Sequence, residues 1–290
     1  MVQRDSSLLI ALFVAACGSN SDRGPDATPP PDAGEAPRWR FETPTIGLAP
    51  AEERYVCSYH QIPGDLGPIG RVAFYGTAGV HSVSLEVVAG PVVDGAVDQI
   101  CARPPRAATL VSLDRQLGEL VLPGDAPLLL GDGLALVVRV HYLNPDDVSA
   151  SGYGIVSWYG GTTVASQTSG LLSAIRTDFS VPPGTSTIET SCRPPGGVRL
   201  IAAYPVSHSH ADRLSVSDDR GLLVSTFDWA HPVPATWMAP YYQPAGALRA
   251  RCDYLNDTGQ IVLGGDRLFA DERCGVAALI VPASGLQSCP

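Results

Sequence analysis

Leu134-Ala135-Leu136-Val137-Val138-Arg139-Val140-His141-Tyr142-Leu143-Asn144-Pro145 is the stretch on which the fold reading turns. An apolar run, Leu134 to Val140, ends in His-Tyr-Leu-Asn-Pro, a good strand end followed by a turn. Similar short runs recur at Val72–Tyr75, Ser82–Val88, Gly154–Tyr159, Val198–Tyr204, Leu222–Phe227, Leu248–Tyr254 and Val276–Val281, separated by Gly, Pro, Asp and Asn. No long apolar stripe of helical period with capping residues appears. Many short strands at this spacing imply an all-β chain of sandwiches or jelly rolls. A polar gap at Ser166-Gln167-Thr168-Ser169-Gly170 and a second break at Val181-Pro182-Pro183-Gly184 place a boundary between them. The expectation is two consecutive jelly-roll-like β-sandwich domains over residues 38–170 and 171–290, with no internal repeat at fixed period.

The N-terminus reads as an export signal. Leu8 to Ala16 is too short to span a bilayer, and Val14-Ala15-Ala16-Cys17 has the form of a lipobox. Residues 1–17 are therefore expected to be a lipoprotein signal peptide with Cys17 as the lipidated residue; an ordinary secretory signal with cleavage nearby is the alternative. Residues 18–37 are rich in Pro, Asp, Ala, Gly and Ser and almost lack large apolar side chains, so they are expected to form a disordered tether. No later segment has the unbroken apolar length of a membrane-spanning helix. The expected location is outside the cytosol, lipid-anchored on the periplasmic or cell-surface side of a bacterial membrane, with the membrane touched only through Cys17.

The formal net charge is -10, and every fixed positive side chain is Arg. An acidic chain without a basic stripe is a poor nucleic-acid binder. Setting Cys17 aside leaves six of the seven cysteines. In an exported chain these read as three disulfides, with about fifteen pairings open to sequence alone. Without C-x-x-C spacing they do not suggest structural zinc. Asn256-Asp257-Thr258 has the form of a glycosylation sequon, but Asn256 reads most simply as a turn residue.

The histidines carry the chemistry. In an extended strand, His208 and His210 of His208-Ser209-His210 would point to one face and aim two imidazoles at one point. His141 ends the run quoted above, and His81 lies in strand-like Gly79-Val80-His81-Ser82-Val83. His60 follows Cys57 by three residues and could join a first-half site only if the fold brings it near.

Taken together, His81, His141-Tyr142, His208-Ser209-His210, Asp271-Glu272-Arg273-Cys274 and the six cysteines resemble the copper type II, ascorbate-dependent monooxygenases. The resemblance covers about residues 40–289. It implies two β-sandwich domains, up to two copper ions and a reductant such as ascorbate. It also implies the pairings Cys57–Cys101, Cys192–Cys289 and Cys252–Cys274. His81 and His141 would hold an electron-transfer copper, although the family has a His-His pair where His81 stands alone. His208 and His210 would hold the catalytic copper, with Arg273 in the slot of the family's Met ligand. Arg carries a permanent charge and offers no lone pair, so it weakens that site unless it turns to solvent or to Asp271 or Glu272. His231, in Asp228-Trp229-Ala230-His231-Pro232, is a possible replacement ligand, and Met238 is the one thioether left in the folded part.

The leading expectation is a monomeric copper-dependent monooxygenase-like lipoprotein that hydroxylates a small-molecule or peptide-like organic substrate with O2 and a reductant. Its rival is a catalytically degenerate copper-binding or structural β-sandwich lipoprotein. A third reading is an adhesion-type sandwich with incidental histidines.

Overall fold

All eight apolar runs fall on strands in the structure, a computed structural model that describes residues 35–99, 101, 107–113, 117–161, 167–267 and 269–289. Val198 lies just before its strand and Phe227 just after. The expected signal peptide, Cys17 and residues 18–34 of the expected tether lie outside the described residues. Among the described residues the regular structure is all β, and no helix is long and apolar enough to cross a membrane.

In the first half, a four-stranded sheet (Trp39–Glu42, Gly154–Gly160, Ile69–Gly76, Leu117–Val121) faces a five-stranded sheet (Val97–Asp98, Glu53–Gln61, Leu134–Leu143, Val80–Ala89, Ala108–Leu113). In the second half, a five-stranded sheet (Ala235–Thr236, Arg199–Val206, Cys274–Val281, Gly170–Arg176, Leu286–Ser288) pairs with a four-stranded one (Gly184–Cys192, Leu248–Asn256, Ala211–Asp218, Gly221–Thr226). No sheet of the described residues mixes strands from the two halves.

The strand Leu134–Leu143 shows why its sequence is apolar almost throughout. Side chains alternate across a strand. Leu134, Leu136, Val138, Val140 and Tyr142 enter the core of the first sandwich, whereas Ala135 and Val137 belong to a separate cluster with Cys57 and Cys101 on the opposite face. Both faces are covered, so alternation between apolar and polar residues disappears. The first core continues into Leu171, Leu279 and Val281 of the second half, which binds the two sandwiches into one compact body.

Tyr142-Leu143-Asn144 and Tyr254-Leu255-Asn256 end the strands Leu134–Leu143 and Leu248–Asn256 in similar ways. The buried Asn144 amide donates to the carbonyls of Ala49 (2.8 Å) and Val148 (2.9 Å). The buried Asn256 amide donates to Val181 (2.9 Å) and Gln260 (2.6 Å). Each also accepts a backbone N–H two residues on, from Asp146 and Thr258 respectively. These side chains satisfy the turn backbone from inside, where water cannot.

Cys57–Cys101, Cys192–Cys289 and Cys252–Cys274 are disulfide-bonded, the pairing that the resemblance implies. Three internal disulfides place the chain in an oxidising compartment, extracellular or periplasmic.

Charge is buried where the halves meet. Glu86 on Val80–Ala89 is 1% exposed, Arg139 is 8% exposed and Arg273 is 2% exposed. The Glu86 Oε1 atom lies 3.6 Å from Arg139 Nη1 and 3.8 Å from Arg273 Nη2. Arg139 also donates to Ser84 Oγ (3.2 Å), and the Tyr204 hydroxyl donates to the Thr109 carbonyl across the same boundary. One carboxylate thus serves two guanidiniums. Glu86→Gln should cost about 3–5 kcal/mol in urea unfolding, because it leaves two buried cations uncompensated. Arg273→Met leaves Glu86 paired with Arg139 and should cost about 1 kcal/mol or less. Equal losses for the two variants would contradict this assignment.

Candidate metal centre

The structure brings His81, His141 and His231 together, with one ligand nitrogen from each within 4.8 Å of the others. Each arrives by a different route. His141 lies on the face of Leu134–Leu143 that looks away from the first core, in line with Arg139. His81 is an extra residue in the neighbouring strand: Val80 pairs with Tyr142 and Ser82 with His141, so His81 occupies a β-bulge. A bulge re-aims a side chain, and this one sets the His81 and His141 rings 4.9 Å apart at 63°. His231 comes from a loop of the second half. Asp228 Oδ1 accepts the backbone N–H groups of Ala230 (2.9 Å) and His231 (2.8 Å), and Ser112 of the first half donates to the Ala230 carbonyl (3.0 Å). His231 then lies 6.0 Å from His81, ring to ring.

The hydrogen bonds decide which nitrogens are available. His141 Nε2 donates to Glu53 Oε1 (2.8 Å), and its buried Nδ1 has no hydrogen-bond partner. His231 Nδ1 donates to Asp228 Oδ2 (3.2 Å), which leaves its Nε2 as the lone-pair nitrogen. Carboxylates that fix the far nitrogen of an imidazole are the usual outer support of a metal ligand. Burial, with repulsion from His81, pulls His141 below the usual imidazole range against the opposing pull of Glu53. It is therefore neutral near pH 7, as a ligand must be. Three nitrogens at ~2.0–2.1 Å from one ion would lie about 3.4 Å apart, so closure requires each ring to move less than about 1 Å. The residues fit a three-imidazole metal ion. The Tyr55 ring lies flat on His141 at 4.2 Å and 4°, and burial pushes the Tyr55 hydroxyl up to about 12.

The second expected cluster has a different role. His208-Ser209-His210 lies in the turn between Arg199–Val206 and Ala211–Asp218, so the same-face rule for strands does not apply. Glu272, fully buried, organises that turn. Its Oε2 accepts the His208 N–H (3.2 Å), and its Oε1 accepts the His210 N–H (2.7 Å) and His210 Nδ1 (2.9 Å). His208 Nδ1 donates to the Asp271 carbonyl (2.9 Å). Arg273 turns neither to solvent nor to the neighbouring acids: it reaches Glu86, while Asp271 holds Arg267 through two hydrogen bonds. Both rings spend Nδ1 on the turn, the buried His208 Nε2 has no hydrogen-bond partner, and Arg273 brings a permanent cation where the resemblance implies a thioether ligand. His231, expected as a replacement ligand for His208 and His210, joins His81 and His141 instead. Met238 is exposed at the surface. His60 stacks on Phe41 at 3.9 Å inside the first sandwich, on the sheet face opposite His141. The bulge that re-aims His81 has no signature in the sequence.

No family model matches the chain, and no curated protein matches it. Among solved structures, PNGF-II is similar with TM-score 0.35 and 10% identity over 85% of this chain. The chain spans 65% of the length of that structure. PNGase F, a glycosylasparaginase from Flavobacterium meningosepticum, is similar with TM-score 0.35 and 9% identity, over 87% of this chain and 97% of its own. The major capsid protein P2 of bacteriophage PM2 gives TM-score 0.28 and 11% identity, over 83% of this chain and 97% of its own. Likenesses this distant say nothing about activity.

Burial lowers His208 to about 4, against the opposing pull of the Asp271 carbonyl. Its unfolded pKa is ~6.5, so between these values the unfolded chain binds a proton that the folded chain does not. Stability from this residue is full above pH ~6.5 and declines as the pH falls toward 4, by up to about 3 kcal/mol. His208→Asn retains a donor toward Asp271 and does not titrate, so urea unfolding at stepped pH should give a shallower acid slope. An unchanged slope would mean that His208 does not carry the effect.

Proposed function

We propose that this chain is an exported copper-binding protein that holds one ion on His81, His141 and His231. The observation that carries this reading is the convergence of three imidazoles, two of them fixed by carboxylates, with the buried Nδ1 of His141 unpartnered. Among divalent first-row metals, nitrogen ligands favour copper most strongly, and the resemblance to the copper monooxygenases points the same way. When bound, copper supplies a one-electron Cu(II)/Cu(I) couple. The chain's own residues position the ligands: Glu53 and Asp228 set two tautomers, Tyr55 supports the His141 ring, and Ser112 anchors the loop that carries His231. With Arg273 facing Glu86 and Glu272 holding the His208–His210 turn, the reading favoured is a family relative that keeps one copper and has lost the second. Anchoring through a lipid on Cys17, a monomeric state and the absence of nucleic-acid partners belong to the same proposal.

A second reading, hydroxylation of an organic substrate with O2 and a reductant such as ascorbate, is favoured by the exposure of His81, which leaves one side of the cluster open to solvent.

Metal analysis of the purified chain should give one copper per chain. His231→Ala should abolish stoichiometric binding while the fold persists by circular dichroism, and Glu53→Gln should weaken binding by about 10–100-fold. Copper retained in His231→Ala would remove the basis of the proposal. Two coppers per chain, with ascorbate-driven O2 consumption, would instead establish the oxygenase reading.

A further inference from the structure

A cavity of about 590 Å³ opens beside the histidine cluster, lined among others by Glu53, Arg54, Tyr55, Gln99, Arg267 and Phe269. That volume suits a small organic ligand. Two of its walls also belong to the metal centre. Glu53 accepts the hydrogen bond of His141, and Tyr55 is stacked on the same ring.

The cavity has an aromatic side and a cationic side. Tyr55 and Phe269 meet edge to face at 5.2 Å, and Trp229 stands 6.2 Å from Phe269. Phe269 is 56% exposed, a large apolar ring held at the cavity rather than packed away. Arg267 is held by Asp271 through Nε (3.1 Å) and Nη2 (2.7 Å), and Arg54 is paired with Glu52. A guanidinium has five N–H donors, so these pairings fix both arginines in place and leave further donors for a ligand. The one carboxylate of the lining, Glu53, is already engaged by His141. The charged donors left for a ligand are the two guanidiniums, beside the neutral amide of Gln99.

We infer that this cavity binds a flat aromatic acid, with its ring against Tyr55 and Phe269 and its carboxylate on the arginines, and that metal occupancy tightens the binding. The inference rests on the metal reading above for its second half only. Glu52, Glu53 and Asp271 against Arg54 and Arg267 give the cavity and its ion-pair partners a formal charge of -1. A divalent ion at the histidines reverses that sign. In a water-like dielectric, two unit charges tighten the binding of a nearby carboxylate by roughly fivefold.

Calorimetric titration of 2-naphthoate, and of neutral 2-naphthamide, into metal-free and copper-loaded chain tests this directly. The expected result is one naphthoate site in both forms, tightened roughly fivefold by copper, with the amide changed less than about twofold. Phe269→Ala, at an exposed position that leaves the fold intact, should weaken naphthoate at least tenfold. Arg267→Gln should erase the preference for acid over amide. No naphthoate binding by chain that takes up copper, or binding unaffected by Phe269→Ala, overturns the pocket and leaves the metal reading standing. If the chain binds naphthoate as expected but takes up no copper, the metal reading and the coupling fall, and the pocket remains.

Discussion

Two-sided burial of the five-stranded sheet in the first half is the constraint from which the remaining structure follows. One face of Leu134–Leu143 seals the first sandwich, and on the other Arg139 and His141 lie among groups that meet Arg273 and His231 of the second half. Where that sheet is covered on both sides, a charged side chain is held out of water and needs a partner inside the protein. Glu86 and Arg139 meet this demand with Arg273 from the second half, and His141 meets it with Glu53. Polar residues that would be unremarkable on a solvated face here become the points at which the two halves recognise each other.

The same constraint explains why the histidine cluster is composite. A bulge brings the exposed His81 beside the buried His141, and a loop of the second half completes the cluster. The Asp228 turn and the Ser112 hydroxyl pin that loop from either side of the boundary. The neighbouring region of the same boundary is filled by a carboxylate and two guanidiniums. Along one boundary the chain thus sets a buried ion-pair group beside a cluster of three imidazoles.

The strands were legible because each is a short apolar run closed by Gly, Pro, Asp or Asn, and the disulfides because the resemblance carried their pairing. The likeness of the Tyr-Leu-Asn segments, 142–144 and 254–256, gains its meaning only once both are seen to end a core strand. The site was only partly legible. The imidazole at 141 sits on a regular strand, whereas the one at 81 depends on a register irregularity that leaves no mark in residue types. His208 and His210 invited the rule of alternate faces, which presumes extended backbone; the buried Glu272 side chain folds them into a turn instead, and no local spacing announces an acid sixty residues away. His231 could be named as a ligand candidate but was expected beside His208 and His210, since a loop's position is set by what it packs on and not by its own residues. Arg273 reads as an intruder in a ligand slot that would turn to solvent or to Asp271 or Glu272, and only the opposing half supplies Glu86, the acid it meets.

The inward Asn256 amide bears on how the chain can be made. Both of its hydrogens are committed to main-chain oxygens beneath the second sheet, although the residue heads an Asn-Asp-Thr acceptor sequence. A sugar tree attached there would have to occupy the protein interior. Secretion through a eukaryotic host that decorates nascent chains would therefore trap a fraction of molecules short of their native form, whereas hosts lacking that transferase would deliver the material intact.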